Sequence, residues 1–314
     1  MNYPYANGII KTQENTILDK TKLIRIPHDT TTMMVRELQE MGYGDPQAPD
    51  LEALISSELK KVKTLMNAIS PEPQLSSLLF LNDDAINIKI LFKKKIFGYQ
   101  PSLSYAMNGS LSQQELLSWM EGQGPLSQKL FDKALSPLRE LTAQKTSSRA
   151  LSSQIDSILY KSALASIHSI YANSLKVYFQ RKIDYTNLIS MIRSRALNWT
   201  VDEFMEMFIE GGELTGELLA SIYPLPNQAM VSGLKTYDFG KVSEDLEKAL
   251  TRNDLGLLEI YFENRLLAKM KEYHADPFSI GPMLYFVLMK KAEAQNIRTI
   301  ASNPHFDAQS LLDY

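Results

Sequence analysis

The chain has 314 residues, of which 44% are hydrophobic and 22% charged, so it can bury a large core and does not have the composition of a disordered protein. Its 33 basic and 36 acidic residues give a net charge of −3, which argues against a nucleic-acid partner. The absence of cysteine excludes disulfides and cysteine nucleophiles and fits a reducing compartment. We therefore expect a cytoplasmic globular protein.

Neither export nor membrane insertion is expected from the hydropathy of the chain. The opening MNYPYANGIIKTQEN lacks a basic region followed by an apolar one, as a secretory signal would have. The longest strongly apolar run covers only residues 278–289, whereas a membrane-spanning helix needs about 20 residues. The sequence therefore predicts a soluble protein, and docking on a membrane complex stays open.

Helical periodicity dominates the pattern of apolar residues. Ser112 with Glu115, and Thr200 with Glu203, have the spacing of capping boxes at helix starts. Apolar stripes over residues 151–178 predict one long helix or two, and those over residues 201–209 predict another. Because no series of alternating strands is found, the predicted fold class is all-α.

Short Pro, Gly and polar clusters mark the predicted connections between helices. These clusters cover residues 42–50, 70–74, 121–125, 223–228 and 275–282. A Ser-rich stretch at residues 144–154 is the best candidate for a domain boundary.

An internal repeat is the most informative feature of the sequence. An acid, two residues, Asn and an aliphatic residue occur in three copies, which contain the pairs Asp84 and Asn87, Asp184 and Asn187, and Glu293 and Asn296. The acids are 184 − 84 = 100 and 293 − 184 = 109 residues apart. Similar helix starts follow the first two copies, beginning at Gly109 (GSLSQQELL) and Gly212 (GELTGELL).

This spacing predicts three helical lobes. We place them at residues 1–145, 146–240 and 241–314, where the third lobe is cut short and is a candidate for packing against the N-terminal segment. A generic helical solenoid is the alternative scaffold, but its repeats would be only about 34 to 47 residues long.

On a helix, residues three apart share a face, so each acid and its Asn can reach the same neighbour. One interpretation is structural, with a buried Asn pairing backbone groups that would otherwise stay unsatisfied. The other is contact with a partner. The candidate residues for lobe junctions or partner contacts are the three pairs together with Lys89 and Arg298.

Catalytic and metal-binding patterns are not found. His28, His168, His274 and His305 lack zinc-site spacing, and neither a P-loop nor a Gly-x-Ser-x-Gly elbow occurs, so no cofactor or metal is expected. Residues 82–87 (NDDAIN) leave open a magnesium-dependent helical enzyme, although no second Asp-Asp cluster supports it. Tyr99, Trp119, Trp199 and Tyr223 are expected to pack in the core.

The two ends of the sequence resemble one family. Residues 3–14 (YPYANGIIKTQE) are similar to the Tyr-x-Tyr-x-Asn-x-Arg start of the V-type/A-type ATPase subunit that is named C in prokaryotes and d in eukaryotes, with Ile9 where that motif has Arg. Residues 281–300 resemble its C-terminal Tyr-x-x-x-Lys-Glu-x-Glu-x-x-Asn-Ile-Arg-x-Ile signature, with Ala292 in place of the first Glu. Asp84 to Lys89 match its internal Asp-x-x-Asn-Leu-Lys segment, whereas Leu188 and Ile189 follow Asn187.

The resemblance implies a funnel of three similar helical lobes around a pseudo-threefold axis. It also implies a non-catalytic rotor subunit between the central-stalk subunits D and F and the membrane proteolipid ring, in a complex that transports protons or sodium ions. The ATP sites would then belong to other subunits.

Overall fold

The computed structural model describes residues 2–27, 30–98, 108–141, 146–303 and 305–314. His28, Tyr99 and the residues just before the predicted boundary at 145 lie outside these ranges. Within them the regular secondary structure is helical and no strand is formed, which confirms the all-α fold class.

The α-helices of the described residues are, in chain order, α1 Tyr3–Gln13, α2 Lys20–Arg25, α3 Thr31–Glu40, α4 Leu51–Ile69, α5 Pro73–Ser77, α6 Leu81–Phe97, α7 Gln113–Met120, α8 Lys129–Leu135, α9 Ser148–Ser166, α10 Asn173–Ala196, α11 Val201–Met205, α12 Gly216–Ile222, α13 Asn227–Gly233, α14 Lys241–Arg252, α15 Leu255–Lys271 and α16 Gly281–Ser302. Short 3₁₀ turns lie at Glu14–Thr16, Leu78–Phe80, Ser136–Glu140, Ile170–Ala172, Tyr237–Gly240 and Ala308–Ser310.

Polar caps explain where several helices begin. The capping box of α11 is confirmed, because the Thr200 hydroxyl accepts from the backbone N–H of Glu203 while the Glu203 carboxylate accepts from that of Thr200. At α7 only half of the predicted box is found. Ser112 caps the helix, but the Glu115 carboxylate accepts from the backbone N–H of Ser127 at 2.5 Å.

The helix predicted over residues 201–209 is shorter than expected, which corrects the interpretation of that apolar stripe. It ends at Met205, because the backbone of Ile209 is taken into hydrogen bonds with a buried side chain of α10. Between residues 151 and 178 the structure has two helices, α9 and α10, separated by the 3₁₀ turn Ile170–Ala172. The end of α11 at Met205 is set by tertiary contacts, which the apolar periodicity of the sequence does not reveal.

The described chain divides into two compact units, each made of discontinuous segments. The first unit consists of Met1–Leu79, Ser169–Leu175 and Ile260–Tyr314. Its long helix α16 packs against α1, α2 and α4, and buried residues such as Leu23, Leu54 and Ile297 form its core. The two ends of the sequence thus share one hydrophobic core.

The second unit consists of Phe80–His168 and Lys176–Glu259. Here α6 packs against α7 and α9, and α13 packs against α14. Trp119 is buried edge-on to Phe92, and Tyr223 stacks on Phe204 with ring centroids 5.3 Å apart. Trp199 carries the Arg149 guanidinium 3.9 Å above its ring centroid. The three-lobe boundaries at residues 145 and 240 stay a prediction.

No candidate membrane-spanning helix is found in the part of the chain that the structure describes. None of its helices combines the length and the apolar character that a bilayer span requires.

Candidate functional site: buried acid and asparagine stations

The three acid and asparagine pairs predicted from the repeat lie on α6, α10 and α16, and all six side chains are buried. A buried carboxylate or amide is costly unless its oxygens and N–H groups are hydrogen-bonded. We call each pair, together with the backbone segment that it binds, a station. Each buried pair therefore needs hydrogen-bond partners within the chain.

At the Asp84 station the acid binds the start of a later helix. Its Oδ1 accepts from the backbone N–H of Leu111 at 2.9 Å, and its Oδ2 accepts from the Ser110 hydroxyl at 2.6 Å. Ser112, the residue after Leu111, caps α7. Burial raises the pKa of Asp84 to about 6, although these hydrogen bonds favour the ionised form.

The Asp184 station repeats this arrangement. Oδ1 accepts from the backbone N–H of Leu214 at 2.9 Å, while Oδ2 accepts from the backbone N–H of Glu213 and from the Tyr237 hydroxyl at 2.6 Å. Thr215 follows and caps α12. Burial again raises the pKa of the acid. The similar helix starts seen in the sequence are therefore the segments that the two acids bind.

A glycine allows each of these close approaches. A Cβ at Gly109 would lie 2.5 Å from Asp84 Oδ1, and a Cβ at Gly212 would overlap with Asp184 Oδ1. Neither glycine has a positive φ, so the requirement is for space and not for an unusual backbone conformation. Each matched segment therefore begins with glycine because a larger residue would collide with the acid.

At the third station Glu293 also accepts from a leucine amide, in this case from the other end of the sequence. The backbone N–H of Leu18 donates to Oε1 at 2.5 Å, and the following residue, Asp19, caps α2. Oε2 accepts from the ammonium of Lys290 at 3.0 Å. Burial raises the pKa of Glu293 to about 7.

Lys290 joins this station to a second buried carboxylate. Its side chain is 1% exposed, and its Nζ lies 2.8 Å from Glu58 Oε1 and 3.2 Å from the carbonyl oxygen of Thr16. Glu58 Oε2 also accepts from the backbone N–H of Gly44. Burial opposes ionisation of Glu58, but Lys290 and this amide outweigh it and lower its pKa. One buried cation therefore serves two buried carboxylates.

The side-chain amides of Asn187 and Asn296 each form hydrogen bonds with both the N–H and the C=O of one residue outside their own helix. Asn187 donates to the carbonyl of Ile209 at 2.8 Å and accepts from its N–H at 2.9 Å. Asn296 makes the same reciprocal pair with Leu312, at 2.9 and 2.7 Å. Asn87 is equally buried, and its Nδ2 lies beside Gly109.

The two predicted cations are bound within the chain as well. Lys89 Nζ lies 2.5 Å from Asp156 Oδ2, and Arg298 makes a bidentate pair with Glu52. Lys89 therefore lies in the second unit, and Arg298 in the first. Their role at lobe junctions or partner contacts, like that of the three pairs, stays a prediction.

Sequence reasoning missed Lys290, Glu58 and Leu18 as parts of the third station. Leu18 followed by the cap Asp19 matches Leu111 with Ser112 and Leu214 with Thr215, but a two-residue pattern is too weak to be noticed alone. Glu58 carried no signal, because its partner is 232 residues away.

Metal-binding chemistry finds no support at these stations. Both Asp84 oxygens already accept hydrogen bonds within the chain, and the described residues contain no group of three or more potential ligands that could hold a metal ion.

The three stations place buried hydrogen-bonding pairs on long helices of an all-α protein. The sequence matches the ATP synthase (C/AC39) subunit family over residues 6–303, and the chain belongs to that family.

Curated relatives agree with this assignment. The chain is similar to the C subunit of the A-type ATP synthase of Thermococcus kodakarensis, at 23% identity over 95% of this chain and 85% of the relative. The corresponding C subunit of Methanosarcina barkeri is 25% identical over 95% and 88% of the two chains. That of Archaeoglobus fulgidus is 28% identical over 49% and 44%.

Proposed function

We propose that this chain is the non-catalytic central-rotor subunit of a V-type/A-type rotary ATPase. In this role it couples the central-stalk subunits D and F to the membrane proteolipid ring, for proton or sodium-ion transport linked to ATP hydrolysis or synthesis. It would be peripheral on the cytoplasmic side, with the ATP sites on other subunits. The observation that carries the proposal is the family match across nearly the whole chain.

The stations support a mechanical role. A rotor part that transmits torque must resist deformation, and helical rigidity in proteins comes mainly from tertiary packing. Here α10 and α16, of 24 and 22 residues, carry buried acids and amides that bind distant backbone segments directly. Breaking any of these contacts leaves a buried polar group without its hydrogen-bond partner. Movement of the helices relative to the bound segments is therefore costly.

Co-purification from native membranes tests the proposal. The tagged chain is isolated in mild detergent and its partners are identified and counted by mass spectrometry. We expect stalk subunits and proteolipid in near-stoichiometric amounts, and the same set when the tag is placed on one of the catalytic subunits. Intact ATPase that lacks this chain, isolated from the same membranes, would overturn the proposal.

A further inference from the structure

The three stations bind the same kind of backbone segment. In each, the acid accepts from the N–H of a leucine, Leu111, Leu214 or Leu18, and the residue after that leucine caps a helix. The helices capped are α7, α12 and α2. The second carboxylate oxygen accepts from a further side-chain donor at all three stations, namely a hydroxyl of Ser110 or Tyr237, or the ammonium of Lys290.

We infer that residues 16–25 are a strap that completes the third station from the opposite end of the sequence and can open while α16 stays folded. The strap takes the place that the segments beginning at Gly109 and Gly212 take at the first two stations. This inference concerns the first unit alone and does not depend on the proposed function.

Contacts along the strap show that it binds the C-terminal residues as well as Glu293. The Tyr314 hydroxyl donates to the carbonyl of Leu18 at 2.6 Å, and Lys20 lies 2.8 Å from Asp313. At the other side of Leu18, the Thr16 carbonyl accepts from Lys290. Asn296 meanwhile binds Leu312, so the residues of α16 fix both the strap and the tail that touches it.

Sequence separation sets this station apart. Leu111 and Leu214 follow their acids by 27 and 30 residues, whereas Leu18 is 275 residues from Glu293. No short loop therefore returns the strap to its acid after it opens. α2 has only six residues, too few for a helix to be stable without tertiary contacts. Both features place the strap among the segments that open locally before the helix that binds them.

Hydrogen exchange measured by mass spectrometry on the full chain tests the strap. Glu293→Met removes the acceptor of the Leu18 amide while Lys290 keeps Glu58 as its partner. We expect exchange in residues 16–25 to rise about tenfold or more, while residues 284–300 change less than about threefold. Asp184→Met is the matched control, and it should raise exchange in residues 212–222 but not in the strap.

Two results would overturn the inference. One is strap exchange in Glu293→Met that equals the wild-type rate, and the other is a rise shared equally by the strap and α16. If the variant does not fold, native-state exchange of the wild-type chain at increasing urea decides the question. The strap must then open at lower urea than α16, and simultaneous opening contradicts the proposal.

Discussion

The Asp184 and Glu293 stations bind a leucine amide in the same way but reach it with different side chains. Asp184 is one methylene shorter, and the backbone it binds comes so close that Gly212 stands two residues before the leucine. Glu293 is longer, and Thr16 stands at the equivalent position before Leu18. The shorter acid is thus paired with a glycine and the longer acid with a threonine, and we expect a residue larger than glycine to be tolerated at position 16 but not at position 212.

Charge is the second difference between these stations. The second oxygen of Asp184 accepts from a backbone amide and a neutral phenol, whereas that of Glu293 accepts from an ammonium shared with another buried acid. This buried ion cluster is costly to break at its centre, because removal of the lysine leaves both buried carboxylates without their common cation. The comparison predicts that the first unit responds more strongly to loss of a single side chain.

The largest effect is expected at Lys290. Lys290→Met leaves Glu58 and Glu293 buried without their common cation, and the free energy of unfolding should fall by about 3–5 kcal/mol. Urea denaturation measures the change. Lys61→Met is the control, since that lysine also approaches Glu58 but is more than half exposed and should contribute less than about 1 kcal/mol. Equal losses in the two variants would contradict the ion-cluster account.

A smaller loss is expected from Asn187→Leu. The substitution keeps a similar volume but leaves the N–H and C=O of Ile209 buried without their partner, at a cost of about 1–3 kcal/mol for each unsatisfied group. Thermal unfolding followed by circular dichroism should show a clear decrease in Tm. Asn227→Leu, at an exposed position, should leave Tm nearly unchanged, and similar Tm values for the two variants would rule out this role for Asn187.

Gly212→Ala tests the steric match of the Asp184 station. The added methyl group overlaps with the acid, so either Asp184 or the backbone at Leu214 must move, and overpacking of this kind costs about 1–3 kcal/mol. Gly124→Ala is the control, because nothing lies within 4 Å of a Cβ at that position. The free energies of unfolding from urea titration provide the comparison, and a neutral Gly212→Ala would show that the contact is not limiting.

Glu293 gives the first unit a pH dependence with a definite sign. Its pKa is about 7 in the folded protein and near 4.5 ordinarily, so the folded state binds more protons between these values. The contribution of Glu293 to stability is therefore largest at low pH and is lost as pH rises toward 7. The stability of wild type minus that of Glu293→Gln should fall from pH 5 to pH 8. A difference that rises over that range contradicts the assignment, and acids that do not interact with Glu293 cancel in the subtraction.

Local patterns predicted much of this fold, since the helical class and the cap at Thr200 follow from residues close together in the sequence. The repeat also singled out the three pairs that lie buried on α6, α10 and α16, but it left open whether they bind the chain itself or a partner. The end of α11 at Met205 could not be predicted, because the hydrogen bonds of Ile209 come from Asn187 on another helix. Lys290 and Glu58 were missed for the same reason, since their pairing spans 232 residues.

Reconstituted coupling is the most direct test of the rotor assignment. Membranes containing the rotary ATPase are depleted of this chain, the catalytic head is rebound, and ATP hydrolysis and ion uptake are measured together before and after the chain is added back. We predict that hydrolysis persists without ion uptake in the depleted membranes and that the wild-type chain restores uptake. If ion uptake is coupled to ATP hydrolysis equally tightly with and without the chain, the assignment is contradicted.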